Sequence, residues 1–175
     1  MNYYRPVKIA ITGPESAGKS ILTRDLARYF DTDWIPEYAR EFLDSLSRPY
    51  TYNDILSIAK QQNLNIDKAI KSSSRRLIFC DTELTVIKIW CEYKYGQCHP
   101  WIIKKHKEQM FDLYLLTDID LPWQPDPLRE HPDKREELFG LYKKELVNQK
   151  WPFEIVHGTG HTRLQNAIRI IEDRL

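Results

Sequence analysis

The segment Gly13-Pro14-Glu15-Ser16-Ala17-Gly18-Lys19-Ser20 leaves the chain few ways to fold around it. It matches G-x-x-x-x-G-K-[ST] in full. The apolar run Val7–Thr12 precedes it as a short buried strand. After it, Leu22, Leu26, Tyr29 and Phe30 recur at helical spacing. Glycines let the backbone curl until successive amides point inward, a geometry that suits phosphate oxygens. The N-terminus of the following helix adds partial positive charge. In such a loop Lys19 reaches the terminal phosphates and the Ser20 hydroxyl ligates magnesium. At average residue frequencies a chance match in a chain this long has a probability on the order of one in a hundred. Gly13, Glu15, Ser16, Ala17, Gly18, Lys19, Ser20 and Ile21 are therefore the expected contacts of a nucleoside triphosphate, with ATP and Mg2+ as cofactors.

The remaining pattern alternates strand with helix. Asp33–Pro36 is a weak second strand, and Pro36, which cannot donate to a ladder, suits its end. Helical patterns run over about 37–46 and 52–71. Leu77–Asp81 is a third strand, and 83–95 a helix stopped by Gly96. Asp112–Thr117 is a fourth strand. The polar segment 118–135 carries four prolines, which exclude one continuous helix. Leu138, Tyr142 and Leu146 then mark a helix, Phe153–His157 a fifth strand, and Leu164, Ala167, Ile168 and Ile171 the stripe of a last helix. Strands apolar on both faces require a parallel sheet covered by helices, an α/β fold. No repeat or second domain interrupts 1–175, so a single domain is expected.

Composition removes whole classes of function. With 26 basic and 25 acidic residues the net charge is +1, against a general nucleic-acid or membrane-surface binder. Cys80, Cys91 and Cys98 form no C-x-x-C pair and no disulfide framework. Cys98-His99 with His106 lacks the second close pair of a zinc site. No stretch reaches the length of a membrane span and the N-terminus has no signal core, so a reducing, cytoplasmic location is expected. The sequence leaves oligomeric state open.

Two carboxylates follow strand ends. Asp81 suits a Walker-B aspartate holding magnesium through water, or an N-cap for the next helix. Glu37 suits a catalytic carboxylate, or a first-turn glutamate favoured by the helix dipole.

Four segments together resemble one family in order and spacing: the phosphate loop, Pro36-Glu37-Tyr38-Ala39-Arg40-Glu41, Cys80-Asp81-Thr82, and Leu115–Trp123 with its D-x-P-W-x-x-D-x-x-R pattern. The family is the ribosylnicotinamide kinase domain of bacterial NadR proteins, and the resemblance covers nearly the whole chain. It implies a P-loop kinase fold of the nucleoside-monophosphate-kinase type. The sheet would have five parallel strands in order 2-3-1-4-5, with a lid over the phosphates. It implies transfer of phosphate from ATP to the 5′-hydroxyl of nicotinamide riboside, giving nicotinamide mononucleotide. By position, Glu37 would accept the hydroxyl proton and Asp81 would hold magnesium and the ribose side. Tyr38, Arg40 and Trp123 would bind the acceptor. The adenylyltransferase half of the full-length relatives has no counterpart here. His157-Gly158-Thr159-Gly160-His161 follows the last strand and reads as a loop, not a nucleotidyltransferase motif.

The lid is expected at about 118–135, with Arg129 and Arg135 facing the phosphates as transition-state donors. Lys19, Glu37, Asp81 and Arg129 form the expected catalytic set. Trp34, Tyr38, Trp90 and Trp123 are candidates for an aromatic wall around the acceptor base. Two other readings stay open. One is a kinase of another nucleoside or nucleotide, thymidylate-kinase-like. The other is a regulatory P-loop ATPase, which the absence of an N-K-x-D segment disfavours.

Overall fold

The computed structural model describes residues 5–174. Five parallel strands form one sheet in the order β2-β3-β1-β4-β5, as expected. They are β1 (Val7–Thr12), β2 (Trp34–Ile35), β3 (Leu77–Asp81), β4 (Leu113–Thr117) and β5 (Phe153–Val156). Seven helices cover it: α1 (Lys19–Tyr29), α2 (Tyr38–Asp44), α3 (Tyr52–Ser72), α4 (Leu84–Tyr95), α5 (Pro100–Glu108), α6 (Arg135–Gln149) and α7 (Gly160–Arg174).

Alternation along the central strands divides the core in two. Ile9, Ile11, Phe79 and Leu115 face α1 and α7, where they meet Leu26, Ala167 and Ile171. Ala10, Ile78, Cys80 and Leu116 face the other way, against Ile66 of α3, Ile89 of α4 and Tyr142 of α6. Both sets are buried because a parallel sheet with helices on each side leaves no wet face. Each fully buried Leu or Ile contributes about 1.5–3 kcal/mol of transfer free energy. No described helix is long and apolar enough to cross a membrane.

The structure adds α5, which the sequence reading leaves as connection. Its cue is local: Pro100 occupies the first turn and the His99 side chain accepts the Trp101 amide at 3.1 Å. Its apolar face is narrow, with Ile102 fully buried and His106 in place of a second aliphatic residue. The expected loop at 157–161 is shorter than read, since α7 already starts at Gly160. The segment 118–134 has no regular helix, and α6 begins at its end.

Candidate active site

The fold brings the phosphate loop to the carboxyl ends of the strands, between β1 and α1. Gly13 has φ 134°, and a Cβ there would stand 2.6 Å from Thr117 Oγ1. Gly18 has φ 74°, and a Cβ there would stand 2.7 Å from Leu121 Cδ1. Backbone conformation disfavours a side chain at both positions, and at Gly13 the Thr117 side chain and backbone also leave no room. Gly18 caps α1 without any side-chain cap, so the first-turn amides are left for an anion. Lys19 Nζ donates to the Pro14 carbonyl at 2.8 Å, folding back over the loop.

A cavity of about 250 Å³ opens from this loop. It is lined by the loop (Gly13 and Glu15 to Ile21), by Glu37, Arg40, Trp90, Tyr93 and Tyr142, and by Leu128, Arg129 and His131 of the segment after β4. Val86, Ile89, Trp90 and Tyr93 present one face of α4, spaced three to four residues apart.

Glu37 is the N-cap residue of α2, but its side chain makes no capping hydrogen bond. The carboxylate lines the cavity instead. Asp81 ends β3 and is 1% exposed. Burial and the Glu37 charge push its carboxyl up to about 6, while the Ser20 hydroxyl and the Lys19 ammonium oppose the shift. Its Oδ1 has no hydrogen-bond partner. The cap of α4 is Glu83, which accepts the Thr85 amide at 2.6 Å. Asp81 therefore has no capping duty. Glu83 is itself fully buried, and burial pushes its carboxyl up to about 7.

The segment 118–134, the expected lid, is docked on the loop. Glu15 Oε2 accepts the amides of Glu130 at 2.9 Å and His131 at 3.3 Å. Ser16 Oγ accepts the Gln124 amide at 2.9 Å and faces Arg129 Nη1 at 3.4 Å. Arg129 also donates to the Gln124 carbonyl. Arg40 pairs with Asp126 of the lid at 3.1 Å. Glu130 meets Lys94 Nζ at 2.6 Å and the Tyr50 hydroxyl at 2.6 Å, and that hydroxyl accepts Trp90 Nε1 at 2.9 Å.

Three expected site residues stand elsewhere. Arg135 is 9% exposed, and its guanidinium donates to the carbonyls of Ile119 and Leu121. It holds the root of the lid and does not line the cavity. Trp123 is half-buried and does not line the cavity, although its neighbours Pro122 and Gln124 do. Tyr38 packs with Phe42 beside Ile55 and Ile58 of α3, because residue 38 lies on the face of α2 turned to that helix. Of the four aromatic candidates, Trp90 alone lines the cavity, while Trp34 sits on the edge strand. Tyr93 and His131 were not anticipated. Tyr93 was legible as the next position on the face of α4 that carries Val86 and Trp90.

A family described as AAA domain matches residues 8–163. The chain belongs to this family. This AAA-domain chain is 32% identical to the "Trifunctional NAD biosynthesis/regulator protein NadR" of Salmonella typhimurium over 127 residues, 69% of the chain. It spans only 30% of the length of that relative. A solved NadR protein in complex with NR superposes with a TM-score of 0.83 at 19% identity, over 97% of this chain and 51% of that one. Thymidylate kinase from Ehrlichia chaffeensis superposes with a TM-score of 0.71 at 13% identity, over 97% of this chain and 99% of the other. The resemblance to NadR carried by the sequence motifs is thus borne out, and so is the P-loop kinase fold.

Proposed function

We propose that this protein is an ATP-dependent kinase that phosphorylates the 5′-hydroxyl of nicotinamide riboside to give nicotinamide mononucleotide. The observation that carries the reading is the continuity of one cavity from the phosphate loop to a free carboxylate, Glu37, and on to aromatic faces on α4. The NadR relatives support the choice of acceptor.

In this reading the loop amides and Lys19 bind the β- and γ-phosphates of ATP, and Ile21 and the first turn of α1 flank them. Ser20 and Asp81 offer hard oxygen donors side by side, and the unpartnered Asp81 Oδ1 fits a magnesium ion. When bound, that ion neutralises charge on the β- and γ-oxygens. Glu37 accepts the proton of the attacking hydroxyl, and its free carboxylate suits the task. Arg129, from the lid, meets charge that develops on the transferred group. The docked lid excludes water, which separates a kinase from an ATPase. The acceptor end supports a nucleoside over a nucleotide. Arg40 there is already paired with Asp126 at 3.1 Å, which leaves it less available to an acceptor phosphate. Three free cysteines and the use of ATP suit a cytoplasmic location.

The test is a panel of nucleosides and nucleoside monophosphates with labelled ATP. Nicotinamide riboside is expected to be the best acceptor by a wide margin. If thymidine or thymidylate proves best, the acceptor assignment falls while the kinase assignment stands. ATP hydrolysis without transfer to any acceptor would sink both.

A further inference from the structure

Arg163 lies on α7, outside the cavity, and is 4% exposed. Its Nη1 donates to the Ala17 carbonyl at 2.8 Å, and its Nε to the Gly158 carbonyl at 2.7 Å. Its Nη2 donates to the Asp118 carbonyl at 3.0 Å and to the Asp120 carboxylate. An arginine is almost never so buried unless paired. Here three of the four acceptors are backbone carbonyls, one in each of three segments. Those segments are the phosphate loop, the root of the lid after β4, and the turn after β5. An ion pair with Asp120 alone would need none of them.

The contact at Ala17 bears on the phosphates. A trans peptide points its carbonyl and its amide in opposite directions, and none of the described peptide bonds is cis. Holding the Ala17 carbonyl toward α7 turns the Gly18 N–H away from α7, to the side where the loop lines the cavity. That peptide needs holding. Gly18 sits at φ 74° in the left-handed region, and glycine populates several other conformations as readily. The Gly18 backbone also lies against the lid root through Leu121 Cδ1. Loop, peptide and lid root therefore share one buried cation.

We propose that Arg163 is a positioning residue for the nucleotide: it fixes the Ala17–Gly18 peptide so that the Gly18 amide faces the phosphates, and ties that peptide to the root of the lid. The proposal rests on the kinase reading of the cavity. It differs from a purely structural role, in which Arg163 would affect folding stability and nothing else.

Arg163→Met and Arg163→Lys separate the two. Binding of a non-hydrolysable ATP analogue is measured by titration calorimetry without acceptor, well below each melting temperature. KM for ATP and for nicotinamide riboside is then measured with both variants. Arg163→Met should weaken analogue binding roughly tenfold or more, the loss expected for a charge-assisted hydrogen bond. KM for ATP should rise in step, with KM for the acceptor within about twofold of the parent. Arg163→Lys keeps the charge but not the fork, and should fall between. A lower melting temperature with unchanged analogue affinity overturns the proposal. Equal losses for ATP and acceptor also overturn it. If Arg163→Met does not fold, the ratio of the two KM values in Arg163→Lys decides alone. Failure of the unsubstituted protein to bind the analogue removes the kinase reading and this proposal together, and that is seen before any variant is made.

Discussion

The carboxylate of Glu15, in the phosphate loop, accepts the backbone amide of Glu130, in the lid, at 2.9 Å. The loop therefore holds the segment after β4 in place through one of its own side chains. Two lid amides share this carboxylate, and hydrogen bonds to a charged acceptor are worth about 1.5–3 kcal/mol each. Glu15→Ala should speed hydrogen exchange at the amides of Glu130 and His131 by roughly tenfold or more. Exchange in β1 and β4 should not change. Amide exchange resolved by residue checks this, and unchanged rates at both positions would show that the lid is held by its other contacts.

Lys19→Ala should abolish phosphoryl transfer and leave the fold intact. The side chain bonds only the Pro14 carbonyl within its own loop, so little packing is lost. A fall in kcat/KM of about 10²-fold or more is expected for a lost transition-state charge. Circular dichroism and melting temperature provide the control. Near-native turnover would remove the phosphate-loop assignment.

Glu37→Gln should lose kcat rather than ATP affinity. The substitution keeps size and removes the base, and a general base contributes ~10²–10⁴-fold. The side chain makes no cap bond, so α2 should be as stable as before. Steady-state kinetics with ATP varied at saturating acceptor separates the two parameters. Unchanged kcat would demote Glu37 to a helix-start residue.

Arg129→Ala should cut kcat by about 10²-fold with little change in melting temperature. Its guanidinium meets Ser16 Oγ and the Gln124 carbonyl, both at the protein surface or in the cavity wall. Arg135→Ala should do the reverse, loosening the lid root and lowering stability, because its partners are carbonyls inside the fold. Kinetics and thermal melts on the pair test the division of labour. A kcat loss confined to Arg135→Ala would reverse the two assignments.

His106 adds an acid-sensitive contribution to stability. It is buried against Trp151 and Thr85, and burial holds its pKa below the ordinary 6.5, with nearby Lys88 and Lys107 adding and Glu145 opposing. Below pH 6.5 the unfolded chain takes up a proton that the folded chain refuses. The contribution of His106 to stability is therefore complete above that pH and is lost as pH falls from there toward about 4, by up to about 1.4 kcal/mol per unit. The raised carboxyls of Asp81 and Glu83 shift stability the other way, so the difference is the readout: urea midpoints at pH 7.5, 6.5 and 5.5 should fall in the parent relative to His106→Phe. Parallel slopes would place the acid sensitivity elsewhere.

Local sequence specifies the strands, the phosphate loop and the two carboxylates at strand ends. Each of these is written in local chemistry: short continuous apolar runs, glycines where the backbone takes positive φ, acids after strand residues. The strand order followed from the family resemblance. Tertiary structure alone decided which residues share the cavity. Trp90 and Trp123 look alike in sequence, and only the packing of α4 against the lid turns one to the cavity and leaves the other outside. Arg129 and Arg135 are equally basic, but Arg135 heads a helix whose next turn, at Leu138, is in the core, so its guanidinium finds carbonyls rather than phosphates. Arg163 had a faint local signal, one turn before Ala167 and two before Ile171 on the buried face of α7. Spacing of that kind shows that a residue is buried, whereas its partner is set by segments more than forty residues away, at Asp120, and nearly one hundred and fifty away, at Ala17. Hydrogen-bond partners across such separations depend on how helices dock on the sheet, and no pattern within a single segment encodes that.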